Sequence, residues 1–297
     1  MPEADRPKGA ERSLARIVTT PPPSPGFIGP GHTAVQVVDV RDFASQDPFI
    51  LLMDDRIDLP EGSEAGGAHP HAGLETVTLV LAGELHDIDE GVVRAGDLQW
   101  MSAGRGIIHS ESVVPHGATR ILQLWVTLPR AARWSEPRFE TVYRDAAPVR
   151  REPGVEVRVY SGQSGSARAM TRNHVPVTLL DIRLDAEATV VQELPASYNG
   201  FMYVLDGDAR VGADAADLRA GQVGWLDRPE HDGTSTLQLT GGAQGARIVL
   251  YAGEPQHAPL VTHGPFVGET RADLVRASND YAAGRFVRLS ELVRARR

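Results

Sequence analysis

The chain of 297 residues contains no cysteine, which removes disulfides, thiolate metal sites and cysteine nucleophiles in one step. Lysine is almost missing as well: Lys8 stands alone among 30 basic residues, and arginine carries the rest of the positive charge. No stretch approaches the run of about 18 apolar residues that a membrane-spanning helix needs. Residues 1–30, with Arg6, Lys8, Arg12 and Arg16 scattered among prolines, lack the apolar core of a secretory leader. The charge balance is acidic, with a formal net charge of −9, and such a field repels phosphate backbones and anionic lipid. Nucleic acid and membranes are therefore not expected partners, and the expectation is a soluble cytoplasmic protein.

What the sequence does hold is two short clusters of side chains suited to a metal, His69-Pro70-His71 and His109-Ser110-Glu111. Residues i and i+2 of a strand point to one side of a sheet, so each cluster aims two donors at one place. Residues 72–108 between the clusters have a β-like, glycine-punctuated pattern, and a closed antiparallel barrel would bring both pairs around one ion. Imidazole and carboxylate ligands of this kind suit Fe(II), Mn(II), Ni(II), Cu(II) or Zn(II). Four protein donors leave one or two positions open if the ion is five- or six-coordinate, and chemistry belongs there. Continuing the alternation, Glu75, Val77, Leu79 and Leu81 share parity with His69 and His71, which predicts that the metal-facing side is also the apolar side. On that pattern Glu75 is a candidate to accept the second ring N–H of a ligand imidazole. The other histidines lie in loops or at strand ends without a partner at ligand spacing, and Gly104-Arg105-Gly106 precedes no helix start that could cradle a phosphate.

The pattern then repeats. Val80-Leu81-Ala82-Gly83 and the later Arg94-Ala95-Gly96-Asp97-Leu98-Gln99-Trp100-Met101 return as Val204-Leu205-Asp206-Gly207 and Arg219-Ala220-Gly221-Gln222-Val223-Gly224-Trp225-Leu226. A tandem duplication of an all-β unit explains this, with Trp100 and Trp225 sharing one packing task. The donors are not duplicated: at the same offset His109 and Glu111 fall on Thr234 and Thr236, and His69 and His71 fall near Glu193 and Pro195. The expected organisation is residues 1–25 as an N-terminal arm with one short strand at Leu14–Val18, and 26–130 as a metal-binding barrel. Residues 131–170 form a connector with the first strands of a second barrel, 171–255 a metal-free barrel, and 256–297 a C-terminal tail. Composition and spacing over Glu269–Ala283 predict a helix there that packs on a barrel.

His69-Pro70-His71-Ala72-Gly73-Leu74-Glu75-Thr76-Val77-Thr78, followed by Gly96 to Glu111 with its Gly-Arg-Gly-Ile-Ile-His-Ser-Glu ending, resembles the signature of the pirins, a branch of the cupin superfamily. Gly264-Pro265-Phe266-Val267-Gly268 and Asp280-Tyr281-Ala282-Ala283-Gly284-Arg285-Phe286 resemble the pirin tail. The resemblance implies an all-β bicupin, two tandem cupin β-barrels with a short C-terminal helix. It also implies one iron in the N-terminal barrel on His69, His71, His109 and Glu111. Pirins take their carboxylate from His-x-Glu, which leaves Glu75 outside the ligand set, and the motif normally carries a larger or basic residue where this chain has Ala72.

For activity, the resemblance implies quercetinase chemistry, the dioxygenolytic opening of a flavonol with release of carbon monoxide. Fe(II) would be the cofactor, a flavonol-like aromatic and dioxygen the substrates, and Glu111 the catalytic proton acceptor as well as a ligand. Those two roles compete, since an oxygen committed to an ion is a weaker base. The alternative implied by the family is a redox-responsive regulator that binds a transcription factor or a metabolic enzyme. A cupin-type isomerase fits the ligands but not the resemblance.

Overall fold

The computed structural model describes residues 10–59, 67–87, 91–113, 118–229 and 232–294; the side chains of residues 87, 111–113 and 294 lie outside the described set. The chain divides into two compact units. One comprises Pro21–Ala146, Thr171–Val175 and Gln256–Arg297, and the other Met1–Thr20, Ala147–Met170 and Pro176–Pro255. Both are built mainly from antiparallel strands, and no helix among the described residues is long and apolar enough to cross a membrane.

In the first unit a seven-stranded sheet runs in the order Arg138–Val142, Leu98–Ser102, Leu74–Ala82, Thr119–Thr127, Phe49–Ile57, His32–Val38, Ser24–Pro25. A second sheet is centred on Ile107–Val113, flanked by Glu84–Asp87, Ala68–His71 and the short Val287–Arg288. Packing identifies the inner face of the larger sheet. Val80 and Ile121 meet Leu85 and Val93 of the second sheet, while Met101 and Phe139 meet Ile107. Directly paired residues share a face, so this inner face continues along Thr78, Thr76 and Trp125. Leu74–Ala82 is covered on both sides up to Leu81, which is why it reads Leu-Glu-Thr-Val-Thr-Leu-Val-Leu rather than as a clean apolar–polar alternation.

The second unit repeats the plan in a nine-stranded sheet. Val77 pairs with Trp100 in one unit and Phe201 with Trp225 in the other, so the duplicated tryptophans occupy equivalent register positions. The edge beside Trp225 is taken by Leu14–Thr19, and the Arg16 guanidinium lies 4.8 Å from the indole centroid. The strand expected within the arm at Leu14–Val18 thus forms, and it covers the edge of Gln222–Leu226, whose backbone groups would otherwise be unpaired. Near the missing donors, Glu193 pairs with Thr236 and Pro195 with Thr234. In the first unit His69 pairs with His109, so by pairing the counterpart of His109 is Thr236, two residues beyond the position given by the sequence offset.

The C-terminal helix spans Arg271–Ala282. It starts at Thr270, whose side chain accepts from the Asp273 amide while Asp273 returns the bond, a capping box. Its Ala277 and Leu274 pack with Ala72, Phe266 and Phe286 of the same unit. A further short helix, Leu289–Arg294, was not foreseen from the sequence; Leu289 anchors it beside Met101 and Ile107.

Candidate metal centre

Ala68–His71 runs antiparallel to Ile107–Val113, with His69 opposite His109 and His71 opposite Ile107. One i, i+2 pair and one cross-strand pair therefore put three imidazoles together. Ring centroids are 4.3 Å apart for His69 and His109, 5.1 Å for His69 and His71, and 5.2 Å for His71 and His109. Their candidate ligand nitrogens all lie within 4.8 Å of one another.

Each imidazole is held in the form a metal needs. His69 Nδ1 lies 2.9 Å from the Gly67 carbonyl; a proton donated there leaves the Nε2 lone pair free for an ion. His71 and His109 are only 4% and 6% exposed. Burial, reinforced by the neighbouring His69, holds His71 down to about 3. Burial and both neighbouring histidines hold His109 well below its ordinary value. Both rings are consequently neutral at physiological pH. His71 Nδ1 and His109 Nε2 are buried with no hydrogen-bond partner among the described residues, a cost of about 1–3 kcal/mol for each orphaned group unless something else satisfies it. Neutral imidazoles in a converging set with unfilled lone-pair or N–H capacity suit a borderline transition-metal ion.

Glu111 lies on the same strand as His109, with backbone pairing to Asp87; its side chain is outside the described residues. Glu75 departs from the expectation. Thr76 pairs with Trp125, whose ring lies edge-on to His71 at 5.4 Å, so His71 is on the Thr76 face and Glu75 on the reverse face of the same sheet. There Glu75 accepts from the Ser102 hydroxyl and the His174 amide, on the side away from His71. The inferred parity fails because the chain between His71 and Leu74 is not continuous strand: Gly73 adopts φ +79°, and the alternation restarts after it. Burial pushes the Glu75 carboxyl up to about 7 against the opposing pull of Ser102, the His174 amide and the Trp100 indole. The indole N–H itself makes no hydrogen bond of good geometry.

The inner wall beside the histidines is formed by residues not singled out in the sequence. Trp125 is half-buried against His71, and the row below it is polar: Thr78 donates to Gln123 at 2.7 Å, with Gln99 alongside. The signal was present in the threonines of Glu75-Thr76-Val77-Thr78, polar residues at the inward positions of a fully covered strand.

Comparison with known proteins agrees with this architecture. The Pirin family matches residues 33–126 and the Pirin C-terminal cupin domain residues 179–287. A pirin-like protein of Caulobacter vibrioides is 34% identical over 93% of this chain and 99% of its own length. Among solved structures, a quercetin 2,3-dioxygenase from Acinetobacter baumannii superposes with a TM-score of 0.82 at 26% identity, covering 93% of this chain and 99% of that one. The Escherichia coli pirin YhhW, solved in complex with nickel(II), superposes at 0.61 with 20% identity over 81% of this chain and 99% of its own.

Proposed function

Because this chain belongs to the pirin family, we propose that it holds one transition-metal ion on His69, His71, His109 and Glu111 and uses it to open flavonols such as quercetin with dioxygen, releasing carbon monoxide. The observation that carries the reading is the convergence of three imidazoles, two of which, His71 and His109, are buried and keep a ring nitrogen without a hydrogen-bond partner among the described residues. The likeness to the Acinetobacter dioxygenase supports the substrate class. Fe(II) is the proposed ion, while Mn(II), Ni(II), Cu(II) and Zn(II) are compatible with the same donors.

When bound, the ion supplies a Lewis-acidic centre for the chelating oxygens of the substrate and a redox partner for dioxygen. The remaining tasks fall to the chain. His69 is locked in one tautomer by the Gly67 carbonyl, so the ring does not have to reorient on loading. Trp125, set edge-on to His71, offers an aromatic wall to a planar ligand. Glu111 takes the proton of the flavonol hydroxyl, a role that weakens to the extent that its oxygens are committed as ligand.

The test is anaerobic reconstitution with Fe(II), followed by quercetin and dioxygen, with oxygen uptake and carbon monoxide measured together. Turnover that disappears in the His109→Ala variant along with its metal supports the reading. No turnover by fully loaded protein moves the function to the family alternative, a metal-dependent regulator of a protein partner. Turnover that survives loss of the metal rejects metal catalysis.

A further inference from the structure

One transverse row on the inner face of the first unit breaks the rule that governs its neighbours. Thr78 pairs with Gln99 on one side and with Gln123 on the other. The next row toward the far end holds Val80 and Ile121, closed by Leu85 and Val93. A barrel interior selected for stability alone would have continued that apolar packing. Instead, Thr78 Oγ1 donates to Gln123 Oε1, which commits the carbonyl end of Gln123 and leaves its NH2 end as a donor. Gln99 is 5% exposed, and its Nε2 is buried without a hydrogen-bond partner among the described residues. Two amide donors thus share one row, and one of them is unsatisfied in a place where water cannot be taken for granted.

The row's position gives it a use. Successive residues on one face of a strand are about 7 Å apart, so Gln123 lies one such step from Trp125, the residue that touches His71. A flat aromatic chelator held at the histidines and resting on Trp125 would extend toward this row. We infer that Gln99 and Gln123, the latter oriented by Thr78, form a subsite that selects ligands carrying a further acceptor oxygen, phenolic or carbonyl, beyond the chelating pair. This rests on the reading of the histidine cluster as the site of an aromatic chelator. Within that reading it assigns specificity to residues that hold no metal.

The experiment compares full-length Zn(II)-loaded wild type with Gln99→Leu, which allows binding to be measured without turnover. The probes are two matched pairs: unsubstituted flavonol against quercetin, and a biphenyl catechol without against one with a distal hydroxyl. Wild type should favour the oxygen-rich member of at least one pair by about tenfold, the size of one well-made hydrogen bond in a buried site. Gln99→Leu should erase most of that preference while leaving the oxygen-poor member and the metal content unchanged. It should also raise the melting temperature of the ligand-free protein, because it removes a buried unpaired donor. Equal weakening of both members, or an undiminished preference, overturns the subsite, the latter meaning that an ordered water serves Gln99. Should Gln99→Leu fail to fold, Gln123→Met reads the same row by the same ratio. Failure of loaded wild type to bind any probe overturns the subsite too, whereas the expected selectivity without carbon monoxide release removes only the catalytic proposal.

Discussion

Glu75 and His71 belong to one short stretch of chain yet lie on opposite sides of the seven-stranded sheet. The reversal occurs at Gly73, whose φ of +79° is a conformation that L side chains rarely adopt. A Cβ at Gly73 would also collide with the Val267 carbonyl. The two residues therefore serve separate environments. His71 closes on His109 and Trp125, and Glu75 sits among Ser102 and the His174 amide.

Substitution of Gly73 by alanine should damage the metal site without touching a ligand. The strained φ alone costs about 1–2 kcal/mol for an L residue, and the collision with Val267 must be relieved by moving the chain that carries His71. Metal content, measured after purification and again after saturating incubation, should fall several-fold, with a lowered melting temperature. Metal content equal to wild type would show that the His71 strand is positioned independently of this turn.

Glu75 makes a pH prediction of definite sign. Its folded-state value of about 7 lies above the ordinary carboxyl value. Between roughly pH 4.5 and 7 the folded protein then binds more protons than the unfolded chain. Stability from this group is complete at low pH, declines as pH rises through that window, and is flat above it. The full difference is on the order of 3 kcal/mol. Glu75→Gln should melt higher than wild type at pH 8 and about the same at pH 5, with metal content unchanged because residue 75 faces away from the histidines. A wild-type advantage at pH 8 would mean that the carboxylate is ionised and better satisfied than its partners suggest.

The histidines titrate in the opposite sense. His71 and His109 are both held below the ordinary imidazole range, so the folded, metal-free protein binds fewer protons than the unfolded chain below about pH 6.5. Their contribution is intact above that value and is lost as pH falls toward 3. Urea midpoints of the metal-free protein should therefore drop as pH is lowered from 6.5. Saturating Zn(II) should raise the midpoint at neutral pH by mass action and lose that effect in acid as protons compete for the ring nitrogens. His109→Ala should abolish the zinc-dependent increment. An increment that persists in this variant would place the ion elsewhere.

Much of this was legible from residues alone, for reasons that also mark the limits. His69, His71 and His109 could be grouped because i, i+2 spacing within a strand is a local rule, and the local strands formed. Trp100 and Trp225 announced the duplication because equivalent register preserved equivalent packing. The side of Glu75 was misread because one glycine resets an alternation, and no period-two count sees a positive φ. Gln99 and Gln123 went unnoticed because their meaning lies in a cross-strand row joining three separate strands. In the N-terminal segment the strand at Leu14–Val18 was legible from its own residues, whereas its place in the second unit's sheet was not, since its partner strand lies some two hundred residues away.

That segment carries the last expectation. Arg12, fully buried, directs its guanidinium at Ser235 Oγ and at the carbonyls of Tyr198, Asp227, Pro195 and Ala196, at 2.7 to 3.1 Å. An arginine has five N–H donors, and here each has an acceptor, which accounts for a charge being tolerated in a place where burial pulls its pKa down to about 10. Removing the side chain leaves buried acceptors unpaired, at about 1–3 kcal/mol for each one that water cannot reach. Arg12→Ala should therefore destabilise the second unit by several kcal/mol in chemical denaturation. Arg12→Lys should recover little, since three donors on a flexible stem cannot reproduce a planar fork. Metal content, set by residues of the other unit, should stay at the wild-type level under native conditions. A lysine variant as stable as wild type would reduce Arg12 to a simple buried charge and remove the fork geometry from the explanation.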